Sequence, residues 1–449
     1  MNPQGPVEKS TRRSISRRSF LAATTAAAAF TIVDRHVLGQ GQTPPSDKLN
    51  IAGIGFGGRG EGDLHEVSSQ NIVALCDVDE AYAGHVFQSY PKARKWKDFR
   101  KMLDEQKDID AVVIATPDHL HATITMTALK LKKHVYCEKP LTHTVKEARM
   151  IAKAATEAKV ATQLGNQGQA DEETKIFIEM VRDGAIGNVR EIHGWSSRNP
   201  AICARGIPRP EDKPPVPATL DWDLWLGPAP ERPYHPAYLP FVWRAWWDFG
   251  TGVLGDIACH NFSAIFKALK LGHPKTIQAS STNGQYGPEI ADETAPVGSV
   301  VHYTFEATAD HPAVTLTWYD GGLLPFRPEE LEPGRRIPFG DGMLYIGDKG
   351  KILDHRLIPE SRMKEYGKPP RTQERSPGHH QEWINACKGG PKPGSPFEFG
   401  GLLTEVAMLG NIAIRTNEML QWDPVNMKFP NCPAAEKYLQ TEYRKGWTL

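Results

Sequence analysis

The sequence predicts an α/β fold whose N-terminal half is a doubly wound parallel sheet. Three observations carry that expectation: an apolar strand running into a glycine-rich turn at Leu49–Gly60, a second strand at Asn71–Asp77 ending on an acid, and two further strand–helix units before residue 141. Short β-branched strands alternating with helical stretches bury both faces of a sheet, which selects parallel pairing.

The chain begins with an address. Lys9, Arg12, Arg13, Arg17 and Arg18 stand against Glu8, and the Ala-rich, mildly apolar stretch Leu21–Val33 follows. A basic region before an apolar one is the pattern of an export signal. Ser16-Arg17-Arg18-Ser19-Phe20-Leu21 resembles a twin-arginine signal, which is read by a translocase that carries folded proteins. Residues 1–46 are therefore expected to be a Tat-type signal and linker, with the Tat translocase as an export partner and the periplasm as destination. Gly39–Pro45 offers no clean cleavage site.

The first strand enters Gly53, Gly55 and Gly58 in G-x-G-x-x-G spacing. In a dinucleotide-binding turn the first glycine permits the tight bend, the second lets backbone approach a pyrophosphate, and the third lets helix and strand pack closely. The following helix N-terminus offers N–H donors to phosphate. Asp77, twenty-four positions after Gly53, is placed to accept hydrogen bonds from a ribose diol and to repel a 2′-phosphate, so NAD is favoured over NADP. Ile109–Thr116 reads as a buried strand before Pro117-Asp118-His119-Leu120-His121 and the helical stretch Ala122–Lys132; His134–Cys137 is another, before Glu138-Lys139-Pro140. Ligands bind at strand C-terminal ends in such sheets. Thr116, Pro117, His121, Glu138 and Lys139 therefore point to the cofactor crevice of a Rossmann domain.

The order of GIGFGGRG, Asp77, ATPDHLH and CEKP resembles the Gfo/Idh/MocA family, which includes glucose–fructose oxidoreductases and inositol dehydrogenases. The resemblance spans residues 48 to about 430. It implies a Rossmann domain at 47–168 and a C-terminal α/β domain at 169–449 built on an open, mainly antiparallel sheet. It also implies Lys139 near the nicotinamide and the substrate hydroxyl, Glu138 positioning that lysine, Pro140 shaping the turn through a cis bond, and a homo-oligomer. Gly250–Asn261 is similar to the family's glycine-rich turn and D-x-x-x-H, here Asp256 and His260, which a helix sets on one face. The departures at Thr251, Gly255 and Asn261 leave the substrate open. Oxidising a secondary alcohol requires loss of its hydroxyl proton as hydride leaves. His260 suits a base near neutrality and Lys139 a donor to the developing alkoxide, while Asp256 can orient His260 or contact a neighbouring hydroxyl.

Eleven prolines between Asn199 and Pro240 exclude continuous helix or sheet, so this segment reads as a long ordered loop. It leads into Trp243-Arg244-Ala245-Trp246-Trp247-Asp248. Trp243 and Trp246 can stack on sugar rings and Arg244 and Asp248 can bind hydroxyls, or the aromatics simply pin the loop to the core. Thr404–Thr416 reads as a helix packing back on the Rossmann half. The proline-tryptophan insertion and the tail look like a Tat-exported subgroup of the family.

Composition narrows the classes. Lys plus Arg equals Asp plus Glu at 53 each, so no net field draws nucleic acid. No apolar run suggests a mature membrane span. None of the six cysteines forms a C-x-x-C pair, so no metal site is signalled; Cys76 and Cys137, at the ends of apolar runs, read as small hydrophobes, and disulfides stay open. Three functions remain: an oxidoreductase for a sugar, polyol or derivative; a redox-neutral, NAD-dependent glycoside hydrolase or lyase working through a transient keto-sugar; and a non-catalytic sugar-binding protein. Scarcity of NAD outside the cytoplasm favours a tightly held cofactor.

Overall fold

Two sheets organise the chain. In this computed structural model residues 47–198, 200–203 and 205–449 are described, and Leu49–Leu449 form one unit. The expected signal and linker lie outside the described residues. The first sheet contains β1 (Asn50–Ile54), β2 (Asn71–Cys76), β3 (Arg94–Trp96), β4 (Ala111–Ile114), β5 (His134–Glu138) and β6 (Thr162–Gly165), all parallel, in the order β3-β2-β1-β4-β5-β6. This is the Rossmann order, with its reversal between β1 and β4. Ala111, Val112, Val113 and Ile114 are all buried, as a strand covered on both faces requires.

The helices between the strands are α1 (Arg59–Glu66), α2 (Gly84–Ser89), α3 (Phe99–Glu105), α4 (Asp118–Lys130) and α5 (Val145–Ala158). A capping box starts α5: the Glu147 N–H donates to Thr144 Oγ1 at 3.3 Å and the Thr144 N–H to Glu147 Oε2 at 2.9 Å.

After α6 (Glu172–Arg182) comes the second sheet, β7 (Val189–Trp195), β8 (Thr276–Ser281), β9 (Ser299–Phe305), β10 (Val314–Tyr319), β11 (Gly342–Gly347), β12 (Gly350–Leu353), β13 (Arg356–Ile358) and β14 (Leu420–Gln421). Its order is β13-β12-β11-β7-β10-β9-β8-β14, and among these neighbours only β7 and β10 run parallel. The mixed, mostly antiparallel sheet agrees with the expected C-terminal α/β domain. Alternating Val301, Tyr303, Phe305 and Val314, Leu316, Trp318 are buried. Phe262 of α7 (Gly252–Leu269) packs edge-on to Tyr303 and Trp318. This period-two pattern turns one face of each strand towards the core.

Beyond α8 (His379–Cys387), α9 (Phe397–Thr416) starts seven residues before the expected Thr404. It packs on α5, where Arg149 pairs with Glu405, and the Thr404 hydroxyl accepts from the Leu141 N–H at 3.0 Å. It is long and apolar enough to cross a membrane, but here it is a mostly buried core helix. The proline-rich segment folds over its own aromatic cluster of Leu220, Trp225, Leu226, Tyr238, Trp243, Trp246 and Phe249. All six cysteines are free thiols; Cys76, Cys137, Cys203 and Cys259 are buried.

Candidate active site

A cleft of about 740 Å³ opens at the C-terminal ends of β1, β2, β4 and β5 and extends to one face of α7. Its first end is the glycine turn, whose working register differs from the expected one. Gly53 lies inside β1, where a Cβ would stand 2.9 Å from Leu64 of α1. Because β1 continues to Ile54, the bend starts at Gly55, with φ +74° and Thr116 against it. A Cβ on Gly57 would stand 2.1 Å from the Tyr82 ring, and one on Gly60 would stand 2.2 Å from the Gly55 carbonyl oxygen. By these close approaches the turn itself runs Gly55-x-Gly57-x-x-Gly60, while Gly53 serves strand–helix packing and Gly58 lines the cleft as the N-cap of α1. Gly57 and Gly60 were legible as a second G-x-G-x-x-G two residues on; only the end of β1 decides between the registers.

Asp77 lines the cleft at the end of β2 and accepts from the backbone N–H groups of Phe56 and Asp79, both at 3.0 Å. Burial raises its pKa in spite of those bonds. Thr116 Oγ1, at the end of β4, is buried without a hydrogen-bond partner among the described residues. Pro117 also lines the cleft. His121 braces the floor: its ring nitrogens lie 2.7 Å from Pro140 O and 2.9 Å from Thr116 O, and burial pushes its pKa down to about 4.

The other end is built on Asp256. Lys139 Nζ donates to Asp256 Oδ1 at 2.7 Å and Arg244 Nε to the same oxygen at 3.1 Å, while Arg198 Nε lies 3.5 Å from Oδ2. Burial opposes ionisation of Asp256, but Lys139, Arg244 and Arg198 outweigh it and hold the carboxyl well below the usual carboxylate range. Cys203 Sγ is 3.9 Å from Oδ2, its thiol pushed up to about 12 by burial and by Asp256. His260, one helical turn beyond Asp256, lines the same cleft; burial and then Lys139 push its pKa down to about 3. The Lys139–Pro140 peptide is cis.

Glu138 faces away from this cluster. Its Oε1 accepts from Gln167 at 2.6 Å and lies 3.4 Å from Arg59 Nε, and burial and then Asp63 push its pKa up to about 7.

The four residues expected to contact substrate divide. Arg244 and Trp243 line the cleft, with the guanidinium 4.2 Å from the centre of the Trp243 ring. Trp246 does not: it is fully buried, donates to Ala237 O at 2.9 Å and packs edge-on to Tyr238. Asp248 is held by buried Arg232 and faces a separate cavity. Both pin the loop, Trp246 through the apolar cluster it packs in and Asp248 through its pair with Arg232. Several cleft residues were not anticipated. Asp118 accepts from the Thr251 hydroxyl at 2.7 Å, and burial pushes it up to about 7. Tyr82 and Phe241 form a T-shaped pair beside Gly57 and Gly58, and Trp447 reaches the far end from the chain's last residues. No local pattern marks Trp447, since its place depends on contacts across the whole chain.

A doubly wound parallel sheet with a glycine turn at its strand ends, its cleft reaching α7, has the architecture of a dinucleotide-binding fold. Residues 48–166 match the NAD-binding Rossmann fold of the Gfo/Idh/MocA oxidoreductase family and residues 209–285 match that family's C-terminal alpha/beta domain. The chain is 32% identical over 155 residues to an inositol 2-dehydrogenase of Rubrobacter xylanophilus, covering 33% of this chain and 44% of that protein. It is 25% identical over 164 residues to glycosyl hydrolase family 109 protein 1 of Akkermansia muciniphila, covering 34% of each. These matches span less than half the length of either relative. The solved scyllo-inositol dehydrogenase of Lactobacillus casei, with bound NAD(H) and scyllo-inositol, superposes with a TM-score of 0.56 at 17% identity over 83% of this chain and 99% of that one. At that identity the likeness concerns the fold.

Proposed function

We propose that the protein is an NAD-dependent oxidoreductase that moves hydride between its cofactor and a secondary hydroxyl of a sugar, polyol or derivative. The observation that carries this reading is the meeting of Lys139, Asp256 and His260 at one end of a cleft whose other end is a dinucleotide cradle. The cradle fits NAD: Gly57 leaves room for a pyrophosphate at the start of α1, Asp77 stands where a ribose diol needs an acceptor, and Thr116 Oγ1 still lacks a partner. Bound NAD supplies the hydride acceptor. The remaining work falls to side chains. Asp256, ionised, aims the Lys139 ammonium, which donates to the substrate oxygen as negative charge develops there. His260 is kept neutral by burial, which leaves its lone pair free but weakly basic, so it takes the hydroxyl proton only as Lys139 stabilises the alkoxide that forms.

Export belongs to the same proposal. Arg17-Arg18 implies passage through the Tat translocase after folding, into a periplasm poor in NAD, so the cofactor must travel with the protein. The tail supports retention: Trp447 packs on Phe99 and lies under Arg100 at 4.3 Å, and Arg444 ties the tail down by donating to Gly227 O and to Asp223. Self-association through the second sheet completes the proposal. A second reading, redox-neutral glycoside cleavage through a transient keto-sugar, is favoured by the family 109 relative.

One purification tests these readings. Protein isolated from the exported fraction without added cofactor should release NAD on denaturation, and Trp447→Ala should lose it several-fold faster on gel filtration. A sugar or polyol that produces absorbance of bound NADH supports the oxidoreductase; release of an aglycone without lasting absorbance supports the second reading. Protein isolated empty, or preferring NADP, overturns the cofactor assignment.

A further inference from the structure

The reaction end of the cleft holds more positive charge than its own carboxylates neutralise. Lys139, Arg244 and Arg198 all address Asp256. The other acid near this cluster, Asp118, is buried and committed to the Thr251 hydroxyl, and its pKa is pushed up to about 7. Cys203 and His260 stay uncharged at neutral pH, and Glu138 is turned towards Arg59 and Asp63. Among the described residues, Asp256 is the one carboxylate that pairs with all three cations.

A cofactor pyrophosphate does not account for this surplus. Its place is the turn at Gly57 and Gly58 and the start of α1, where Arg59 is the nearby cation and is already shared between Asp63 and Glu138. The surplus lies at the other end, beside the hydride-transfer residues. Arg244 is pre-set there: its Nε is on Asp256, its Nη1 donates to Phe241 O at 3.2 Å, and its plane lies over Trp243. Arg198 stands at the cleft mouth with half of its side chain exposed. Arginine forks in a partly desolvated site match the oxygens of carboxylate and phosphate.

We propose that the substrate is an anionic sugar or polyol, whose carboxylate or phosphate group is received by Arg198 and Arg244 while Lys139 and His260 address the reacting hydroxyl. This rests on the oxidoreductase reading of the same cleft. In place of a neutral sugar, such a substrate supplies the missing negative charge, and it orients itself by that group relative to the hydroxyl being oxidised.

The test uses NAD-loaded protein and matched probes in the gluco and galacto series: the neutral sugar, its uronate and its 6-phosphate. Calorimetry reads binding and absorbance at 340 nm reads reduction of bound NAD. The expected result is that uronate, 6-phosphate or both bind on the order of 10- to 100-fold more tightly than the neutral sugar, and that Arg198→Gln removes most of this advantage while the variant keeps its melting temperature and bound NAD. Uronate and phosphate arms separate the two sources of charge. Neutral sugars binding as well as the acids overturns the proposal, and so does an acid preference that survives both Arg198→Gln and Arg244→Gln. Reduction of bound NAD by neutral sugars alone sinks the proposal but leaves the oxidoreductase reading standing. Acid probes that bind through Arg198 while no sugar, charged or neutral, ever reduces bound NAD sink the oxidoreductase reading instead.

Discussion

Glu138 and Lys139 are neighbours in the sequence, yet their side chains enter opposite electrostatic settings. Lys139 turns to Asp256, which is buried among three cations and held ionised. Glu138 turns to Asp63, which is just as buried, with Arg59 shared between the two acids. There burial pushes Glu138 up to about 7 and Asp63 to about 6, and His380, 3.1 Å from Asp63, is pushed down to about 4. Burial is similar and the outcomes differ in sign. The ratio of cations to carboxylates within reach decides which form a buried acid takes.

The sharpest way to break this contrast is to remove the anion from the cation-rich side. Asp256→Asn leaves Lys139, Arg244 and Arg198 without their counter-charge, a change of about 3–5 kcal/mol for a buried pair that loses one partner. Thermal unfolding should show a melting temperature several degrees lower, and an unchanged melting curve would mean that solvent already screens the cluster. Removing a cation instead should cost function before stability. We expect Lys139→Met to stay soluble and keep NAD while turnover falls about 10²–10³-fold; loss of soluble protein would make Lys139 a packing residue.

On the acid-rich side the effect is smaller and has a defined sign. The folded state keeps the Glu138 proton where the unfolded chain has lost it. Its contribution is therefore fully present below the ordinary pKa of 4.5 and declines as pH rises through about 7. One proton corresponds to a slope of at most about 1.4 kcal/mol per pH unit. Denaturant unfolding of Glu138→Gln between pH 5 and 7.5 should show a flatter dependence than the parent; parallel curves would contradict it. The smallest effect concerns His260. An imidazole with a pKa near 3 gives no inflection between pH 5 and 8, so His260→Ala should lower kcat while leaving the shape of the pH–rate profile unchanged. An inflection near 6.5 that disappears in the variant would restore the unperturbed histidine that its residue type suggests.

Much of the first sheet was legible because parallel strands announce themselves locally, as β-branched runs ending in the residues that face the ligand. Asp77, Thr116 and Lys139 were found that way, each one to two residues past its strand core. The turn register was missed because two overlapping triplets satisfy the same spacing and only the length of β1 separates them. Trp246 and Asp248 were misplaced for a related reason. A run of aromatic and charged residues shows which chemistry is available, but packing within the loop's own cluster and the pair with Arg232 set which side chains reach the cleft.

The sequence by itself determined the Rossmann half, since its strand ends and glycine turn are written along one stretch of chain, and through the motif resemblance it pointed to Lys139, Asp256 and His260, which the fold brings to one cleft. Tertiary structure alone decided the charge states of Asp256 and His260. Glu138 meets Arg59 of α1, 79 residues before it, and Lys139 meets Asp256 of α7, 117 residues after it. Desolvation and Coulomb interaction depend on distance through space, and no local pattern encodes how many cations a fold gathers around one carboxylate.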